Sequence, residues 1–341
     1  MVRRVALASG GLGAGGLGVS CPRSRRWPAG PPARPEAPCP PAGFRAAGRV
    51  EPDLADDLLA AAAGAVGSGS LEVVTRRRGR LVARSTVHGQ QDVVIKVSVS
   101  AGDFAAEAAA VRTLAAAGLP VPRIQAMAEG PPAVLVAQWT PGRGVTQDDD
   151  VPVRRQIADL LRRVHALPAG PPYAGGEDHL VSWIDGWCRY AFAWWAGQPG
   201  ITAGTVRDAD SWYAEVRSLI DGRRGSQILL DGAPDHFIVG PDRRVRMIDV
   251  ANLQPGDPVM DLAVLRLHQP DLLAGVMDSY AHPEVTPDHL DSLQPFYVFL
   301  RTLALAEWQL TALDNPVAAQ AWCERAHRSL RTRGRSTPGS P

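Results

Sequence analysis

The sequence predicts an α+β protein with two lobes, a small lobe built on a β-meander and a larger, mainly helical lobe. Three β-rich runs come first, at 71–76, 81–87 and 93–97, and short glycine-containing turns separate them. From residue 154 onwards helical segments dominate, and one hairpin interrupts them. Because strands and helices occupy separate parts of the chain instead of alternating, an α+β architecture is expected.

The small lobe is expected to contain a helix, the meander, a second helix and a further strand, in that order. The first helix is predicted over 53–66, where alanine and leucine dominate. Short turns between the β-rich runs favour antiparallel pairing. A second helix is predicted over 104–117 and ends at Gly118, because glycine often follows the last helical residue. The strand predicted over 134–138 ends at Pro141.

The larger lobe is predicted to contain helices at 154–166, 180–196, 208–220, 290–313 and 318–331. A β-hairpin is expected among them, because apolar runs at 237–239 and 245–248 flank a Gly-Pro-Asp turn. Four tryptophans crowd the segment 183–195. These rings either form core between helices or line a pocket for a bulky ligand.

Composition divides the chain into four parts. Residues 1–50 are dominated by glycine, proline and arginine, and we predict a disordered tail or a mis-assigned start there. The N-terminal lobe is expected over 51–141 and the C-terminal lobe over 142–332. Residues 333–341 are expected to form a second disordered tail. The total of 341 residues is enough for two lobes of ordinary size.

Charge and cysteine content exclude several classes of protein. Thirty-six basic residues nearly cancel thirty-five acidic ones, for a net charge of +1, which argues against a dedicated nucleic-acid binder. No apolar run approaches the ~20 residues that span a bilayer, so we expect no membrane partner. Four widely spaced cysteines predict neither a zinc site nor a disulfide framework, and a cytoplasmic location follows. The oligomeric state stays open.

Lysine usage points to one position. The chain has a single lysine, Lys96, so 36 − 1 = 35 of its basic residues are arginines. Lys96 lies in a predicted strand, on the face opposite Ile95 and Val97, and Glu107 follows eleven residues later in a predicted helix. A strand lysine paired with a helix glutamate holds the α- and β-phosphates in kinase-type folds. The alternative is a partly exposed strand lysine with an unrelated glutamate.

A second group of polar residues surrounds the hairpin. Asp231 and His236 bracket a Gly/Pro loop before the first strand, and Asp249 follows the second strand, which returns it beside the loop. Phosphoryl transfer needs a carboxylate to orient the acceptor hydroxyl and ligands for Mg²⁺. Asp231 suits the first role, and Asp249 with His236 suits the second. Alternatively, Asp231 and Asp235 form turns and His236 is a packed histidine.

Four segments occur in an order that is known from one family. They read FAAEAAAVRTLAAAGLPVPRI at 104–124, LVAQWTPG at 135–142, LLRRVHALP at 160–168 and GDPVMDLA at 256–263. Together with the single lysine, they make the chain resemble the aminoglycoside phosphotransferase family from about residue 71 to residue 265. That family consists of small-molecule kinases with a protein-kinase-like fold.

The resemblance implies cofactors and further site residues. The cofactors would be ATP or GTP with Mg²⁺. The smaller lobe would bind the nucleotide, and the backbone of Gln138 and Thr140 would meet its base. The larger lobe would carry the catalytic loop and bind a small molecule with a hydroxyl group.

The chain departs from the family pattern at two places. The catalytic loop usually reads H-G-D-x-x-x-x-N, whereas here Leu229 and Leu230 precede Asp231, and His236 replaces the asparagine. Histidine at that position resembles macrolide phosphotransferases. The turn that covers the phosphates in the family reads RRRGR at 76–80, and these arginines either grip phosphate or form a solvated hairpin tip.

These observations predict a nucleotide-dependent O-phosphotransferase. It would transfer the γ-phosphate to a hydroxyl of a small molecule, and by resemblance the acceptor would be an antibiotic or related natural product, with antibiotic resistance as the consequence. Two alternatives stay open. One is a catalytically impaired pseudokinase that acts as a nucleotide-binding module, and the other is a kinase for a metabolite of the choline or homoserine type.

Overall fold

The computed structural model describes residues 54–66, 70–77, 79–86, 91–169 and 178–333. The tail predicted at 1–50 lies outside the described residues, as does all of the tail predicted at 333–341 except Arg333. The small lobe holds helix α1, a five-stranded antiparallel sheet in the order β1-β2-β3-β5-β4, and helix α2. These elements span Leu54–Val66 (α1), Ser70–Arg77 (β1), Arg80–Thr86 (β2), Val93–Ser98 (β3), Ala105–Ala116 (α2), Ile124–Ala128 (β4) and Ala133–Gln138 (β5).

The predicted meander is confirmed, and its polarity pattern positions the lysine. β3 pairs antiparallel with both β2 and β5. Ile95 and Val97 have no exposed surface and pack with Leu58 and Ala62 of α1. Because side chains alternate along a strand, Lys96 lies on the opposite face of the sheet, towards the larger lobe.

Helix α2 ends as its sequence predicts. Gly118 has φ +70°, a conformation that glycine adopts without strain. The Leu119 N–H donates to the Leu114 carbonyl at 2.9 Å, which closes the last turn. The chain then enters β4, an edge strand that the sequence did not predict, and β5 ends at the linker to the larger lobe.

The larger lobe is mainly helical, in agreement with the prediction. Its helices span Val151–His165 (α3), Asp178–Ala196 (α4), Ala203–Ile220 (α5), Pro258–His268 (α6), Pro270–Met277 (α7), Gln294–Thr311 (α8) and Pro316–Thr332 (α9). Its short strands span Arg143–Gly144 (β6), Ser226–Ile228 (β7), Phe237–Val239 (β8), Val245–Met247 (β9) and Gln254–Gly256 (β10). The β8–β9 hairpin is the predicted one, whereas α6 and α7 were not predicted.

The tryptophan-rich segment mainly forms core. Trp183, Trp187 and Trp195 are at most 5% exposed and belong to the largest hydrophobic cluster, with α5, α8 and α9. Trp194 is half-buried at the edge of that cluster, and Tyr190 is 37% exposed. The core interpretation is therefore correct for the buried rings.

None of the helices in the described ranges is long and apolar enough to cross a membrane. Of the four cysteines, the two inside those ranges, Cys188 and Cys323, are buried and unpaired. The described residues fall within one compact unit of the chain. The lobe boundaries at 51–141 and 142–332 and the cytoplasmic location stay predictions.

Candidate active site

Three charged residues from different parts of the chain meet between the lobes. Lys96 Nζ donates to Glu107 Oε1 at 2.6 Å and to Asp249 Oδ1 at 2.8 Å. β3 supplies the lysine, the first turn of α2 the glutamate, and the end of the β8–β9 hairpin the aspartate. The side chains of Lys96 and Glu107 are 16% and 10% exposed, whereas Asp249 is half-exposed and faces the cleft. An ammonium group is therefore fixed between two carboxylates, with one of them open to a ligand.

The mutual influence of these charges shifts all three pKa values. Burial lowers the pKa of Lys96, but the carboxylates of Asp249 and Glu107 outweigh this effect and raise it. Burial raises the pKa of Glu107, and the lysine charge offsets this only in part. Desolvation also works against ionisation of Asp249, yet nearby positive charge, that of Lys96 first, leaves its pKa lowered. The lysine therefore stays cationic, and Asp249 stays anionic, across the neutral range.

His236 lies next to this group. Its Nδ1 is 2.7 Å from the carbonyl oxygen of Asp231, and its Nε2 is 3.8 Å from Asp249 Oδ2. A carbonyl only accepts hydrogen bonds, so in the neutral ring Nδ1 carries the proton and Nε2 carries the lone pair. Two electron-pair donors, a nitrogen and a carboxylate oxygen, therefore face each other across a gap that suits a cation.

The loop before Asp231, whose sequence departs from the family pattern, has a strained backbone that distant side chains hold in place. Leu230 has φ +56°, which a side chain with a Cβ adopts only at a cost of about 1–2 kcal/mol. The backbone N–H groups of Leu229 and Leu230 each donate to the carboxylate of Asp261 at 2.8 Å. His165 holds the same carboxylate through Nε2 at 3.0 Å, and both side chains are fully buried. Asp261 thus anchors the strained loop from α6.

Asp231 contacts a different partner from the other predicted site residues. Arg301 of α8 donates from Nη2 to Asp231 Oδ1 at 3.0 Å. The Asp231 side chain is 36% exposed, and its carbonyl joins it to the His236 ring. The structure therefore brings Asp231 beside the Lys96–Asp249 group through His236, not through a direct carboxylate contact.

Gln138 is the last residue of β5, and Thr140 lies two residues further on, in the segment that leads to the larger lobe. The Gln138 N–H donates to the Arg123 carbonyl at 2.9 Å, so this donor is already used. The Thr140 N–H has no protein acceptor among the described residues. One free backbone donor in the linker is therefore available to a ligand. A cavity of about 330 Å³ lies along the linker and includes both residues in its lining.

The arginine-rich turn reaches across the cleft. The Arg77 guanidinium lies over the Trp308 ring of α8, 5.0 Å from the ring centre. It adds, after Lys96, to the lowered pKa of Asp249. Arg301 and Trp308 are seven residues apart and so share one face of α8. This face lines the cleft opposite β1.

Sequence reasoning missed three contributors to the site. Asp261 lies within the GDPVMDLA segment, four residues after Asp257. This spacing in the sequence was a signal that could have identified it. Arg301 and Trp308 had no signal, because arginine is common in this chain and tryptophan occurs nine times. Their role depends on the packing of α8 against the catalytic loop.

Comparison with solved structures shows the same fold. A choline/ethanolamine kinase family protein from Mesorhizobium loti is 20% identical, with a TM-score of 0.61, over 84% of this chain and 96% of the other. The choline kinase LicA from Streptococcus pneumoniae is 14% identical, with a TM-score of 0.59, over 82% and 99%. A thermostable mutant of the aminoglycoside phosphotransferase APH(4)-Ia, in a ternary complex with ADP and hygromycin B, is 17% identical, with a TM-score of 0.61, over 82% and 98%.

The fold and the clustered charges define a two-lobed, kinase-like phosphotransferase. Residues 72–296, about two thirds of the chain, match the APH phosphotransferase enzyme family, and the chain belongs to that family. The resemblance inferred from the sequence is confirmed. The protein is a small-molecule phosphotransferase, a kinase that acts on a hydroxyl group. No curated protein matches the sequence.

Proposed function

We propose that the protein transfers the γ-phosphate of ATP or GTP to a hydroxyl of a small molecule. The first candidate for this acceptor is an antibiotic or related natural product. The observation that carries this proposal is the position of Lys96 between Glu107 and Asp249, at 2.6 and 2.8 Å. A phosphate that enters the cleft meets a fixed ammonium group, as phosphate-holding lysines require.

Each predicted site residue has a role in this proposal. Lys96 binds the α- and β-phosphates, and Glu107 keeps the ammonium group in place. Asp231 orients the attacking hydroxyl, since its carboxylate is partly exposed at the cleft. The backbone carbonyl of Gln138 and the N–H of Thr140 bind the base of the nucleotide. Because phosphoryl transfer depends mainly on positioning and charge neutralisation, these contacts account for most of the expected acceleration.

The donor set beside Asp249 fits Mg²⁺. Among the described residues no group of three or more His, Cys, Asp or Glu side chains is able to hold a metal ion by itself. Mg²⁺ is usually bound by one or two protein carboxylates together with substrate phosphates, so Asp249 suffices for the protein share. His236 would add a nitrogen ligand, which is softer than Mg²⁺ prefers. The ion, when bound, neutralises charge on the phosphates.

The altered catalytic loop does not favour a pseudokinase. Leu229 and Leu230 replace the usual histidine and glycine, and the backbone at Leu230, just before Asp231, has φ +56°. Three hydrogen bonds to Asp261 support that conformation. A strained backbone conformation that is held by buried hydrogen bonds next to Asp231 supports a role in transfer.

The solved relatives suggest two acceptor classes. One is bound to hygromycin B, an aminoglycoside, and two are kinases named for choline or ethanolamine. A kinase for a primary metabolite is therefore the second candidate. The two candidates differ in one consequence, because only an antibiotic kinase changes drug sensitivity when it is expressed.

The test is a transfer screen with ATP and GTP in parallel. Purified protein is incubated with hydroxyl-bearing antibiotics and primary metabolites, and the products are analysed by mass spectrometry for an added phosphate. Phosphorylation of a macrolide or aminoglycoside supports the proposal. Phosphorylation of a metabolite alone supports the second candidate, and nucleotide binding without any transfer supports the pseudokinase.

A substitution then tests the assignment of Asp231. Asp231→Ala should abolish transfer and leave nucleotide binding intact, as measured by calorimetry. Asp159→Ala is a matched control, because Asp159 is a solvent-exposed carboxylate of α3 that pairs with Arg162. Wild-type turnover by the Asp231 variant would disprove its role.

A further inference from the structure

Arg301 is a charged residue inside the core of the larger lobe. It is 7% exposed, and its neighbours on α8, Leu300 and Leu303, are at most 1% exposed. A charge is tolerated in such surroundings only when it is paired and hydrogen-bonded. The partner is the carboxylate of Asp231, whose Oδ1 accepts from Nη2 at 3.0 Å. The burial of Arg301 therefore depends on the residue proposed to orient the acceptor.

The remaining hydrogen-bonding groups of Arg301 do not explain why the core retains it. Its Nε is buried and has no acceptor within the described part of the chain. An unsatisfied buried donor lowers stability, so a native protein that keeps one calls for a separate reason. The planar guanidinium holds a carboxylate in one orientation better than a flexible ammonium group does.

The backbone of Asp231 is already fixed, which leaves its side chain as the variable part. The Asp231 carbonyl accepts from the Ala233 N–H at 2.8 Å and lies 2.7 Å from His236 Nδ1. The contact with Arg301 holds Oδ1, while Oδ2 has no donor among the described residues. One carboxylate oxygen is therefore held by the core, and the other is available to a hydroxyl in the cleft.

We infer that Arg301 is a positioning residue, which orients the Asp231 carboxylate so that Oδ2 receives the acceptor hydroxyl. This inference rests on the proposed role of Asp231 in transfer. Phosphoryl transfer is controlled mainly by geometry, and a misplacement of about 1 Å can lower the rate about a hundredfold. Loss of Arg301 therefore acts on turnover and leaves nucleotide binding unchanged.

The experiment compares Arg301→Ala and Arg301→Lys with the wild type. The assay measures nucleotide turnover with the acceptor identified by the screen, and with water as the acceptor in its absence. We expect Arg301→Ala to lower kcat on the order of a hundredfold at an unchanged nucleotide KM. Arg301→Lys should lose less, and added guanidinium chloride should restore part of the Arg301→Ala activity. Arg266→Ala is the matched control, because Arg266 contacts Gln294 of α8 at 2.7 Å without reaching Asp231.

A second background separates positioning from a structural effect. In Asp231→Glu protein, which keeps a carboxylate for turnover but carries it on a longer side chain, Arg301→Ala should cause a much smaller loss of kcat than in the wild type, because the two changes disturb the same oriented carboxylate. Additive losses, or full activity of Arg301→Ala, would overturn the inference. If Arg301→Ala fails to fold in thermal unfolding, Arg301→Lys in both backgrounds carries the same comparison. Absence of any turnover by the wild type would overturn the proposed function instead.

Discussion

The contact that anchors the loop before Asp231 can be tested by replacing Asp261 with asparagine. Asp261 is fully buried and accepts hydrogen bonds from the Leu229 N–H at 2.8 Å, the Leu230 N–H at 2.8 Å and His165 Nε2 at 3.0 Å. Asparagine keeps the shape but offers one acceptor oxygen and turns an NH₂ group towards another donor. Because Oδ2 accepts from both Leu229 and His165, an amide oxygen in that place keeps these two bonds without their charge, while the Leu230 N–H faces the NH₂ group and stays unsatisfied. An unsatisfied buried donor costs about 2 kcal/mol and the loss of charge about 0.5 kcal/mol for each remaining bond, so the free energy of unfolding falls by about 3 kcal/mol.

Urea unfolding, followed by circular dichroism, measures this loss, and the slope against urea shows whether the unfolded state has changed. Asp159→Asn is the control, because this carboxylate is 48% exposed and its pairs with Arg162 and Arg163 should contribute less than about 1 kcal/mol. Turnover by Asp261→Asn should also fall, since the φ of Leu230 loses its support. A loss of stability no larger than that of the control would refute the reasoning.

Three further predictions concern the charges in the cleft. Lys96→Arg should lower kcat/KM for the nucleotide by at least about tenfold in steady-state kinetics, because a planar guanidinium cannot replace a compact ammonium group between two carboxylates. A variant with unchanged kcat/KM would contradict this prediction. Asp249→Asn should be less stable than the wild type at neutral pH, and the difference should shrink as the pH falls below about 4, because a lowered pKa stabilises the folded state only while the carboxylate is ionised. Urea unfolding of both proteins between pH 7 and pH 3 checks this, and a difference independent of pH would refute it. Arg77→Ala should weaken nucleotide binding in calorimetry, and the effect should be smaller at high salt. Arg76→Ala should not weaken binding, because adjacent residues of a strand point to opposite faces. Equal effects of the two substitutions would indicate a general charge effect and contradict the prediction.

Much of the small lobe could be predicted because its signals are local. The meander depends on runs of β-branched residues between glycine turns, and the end of α2 depends on Gly118 alone. The missed strand β4 has the burial pattern of an edge strand, with most of its residues exposed. The missed helix α6 is buried along nearly its whole length, so its sequence has no amphipathic period to detect.

The residues of the candidate site also divide into those with a local sequence signal and those without one. Lys96, Glu107, Asp231, His236 and Asp249 were predicted from residue type and spacing within short segments, and their roles stay predictions. The contact of Arg301 with Asp231 joins residues seventy positions apart, and the contact of Lys96 with Asp249 joins residues 153 positions apart. No short sequence pattern predicts a contact between residues so far apart in the chain.

The sequence by itself predicted the family and its type of chemistry, and it supplied the candidate residues for that chemistry. A single lysine among thirty-six basic residues directed attention to Lys96, the residue proposed to bind phosphate, because arginine does not replace a compact point charge. Only the tertiary structure decided which residues hold these groups in place. Asp261 fixes the backbone before Asp231, and Arg301 holds its carboxylate, through contacts that exist only when α6 and α8 pack against the loop. Residue chemistry is a local property, whereas orientation depends on distant parts of the chain packed together.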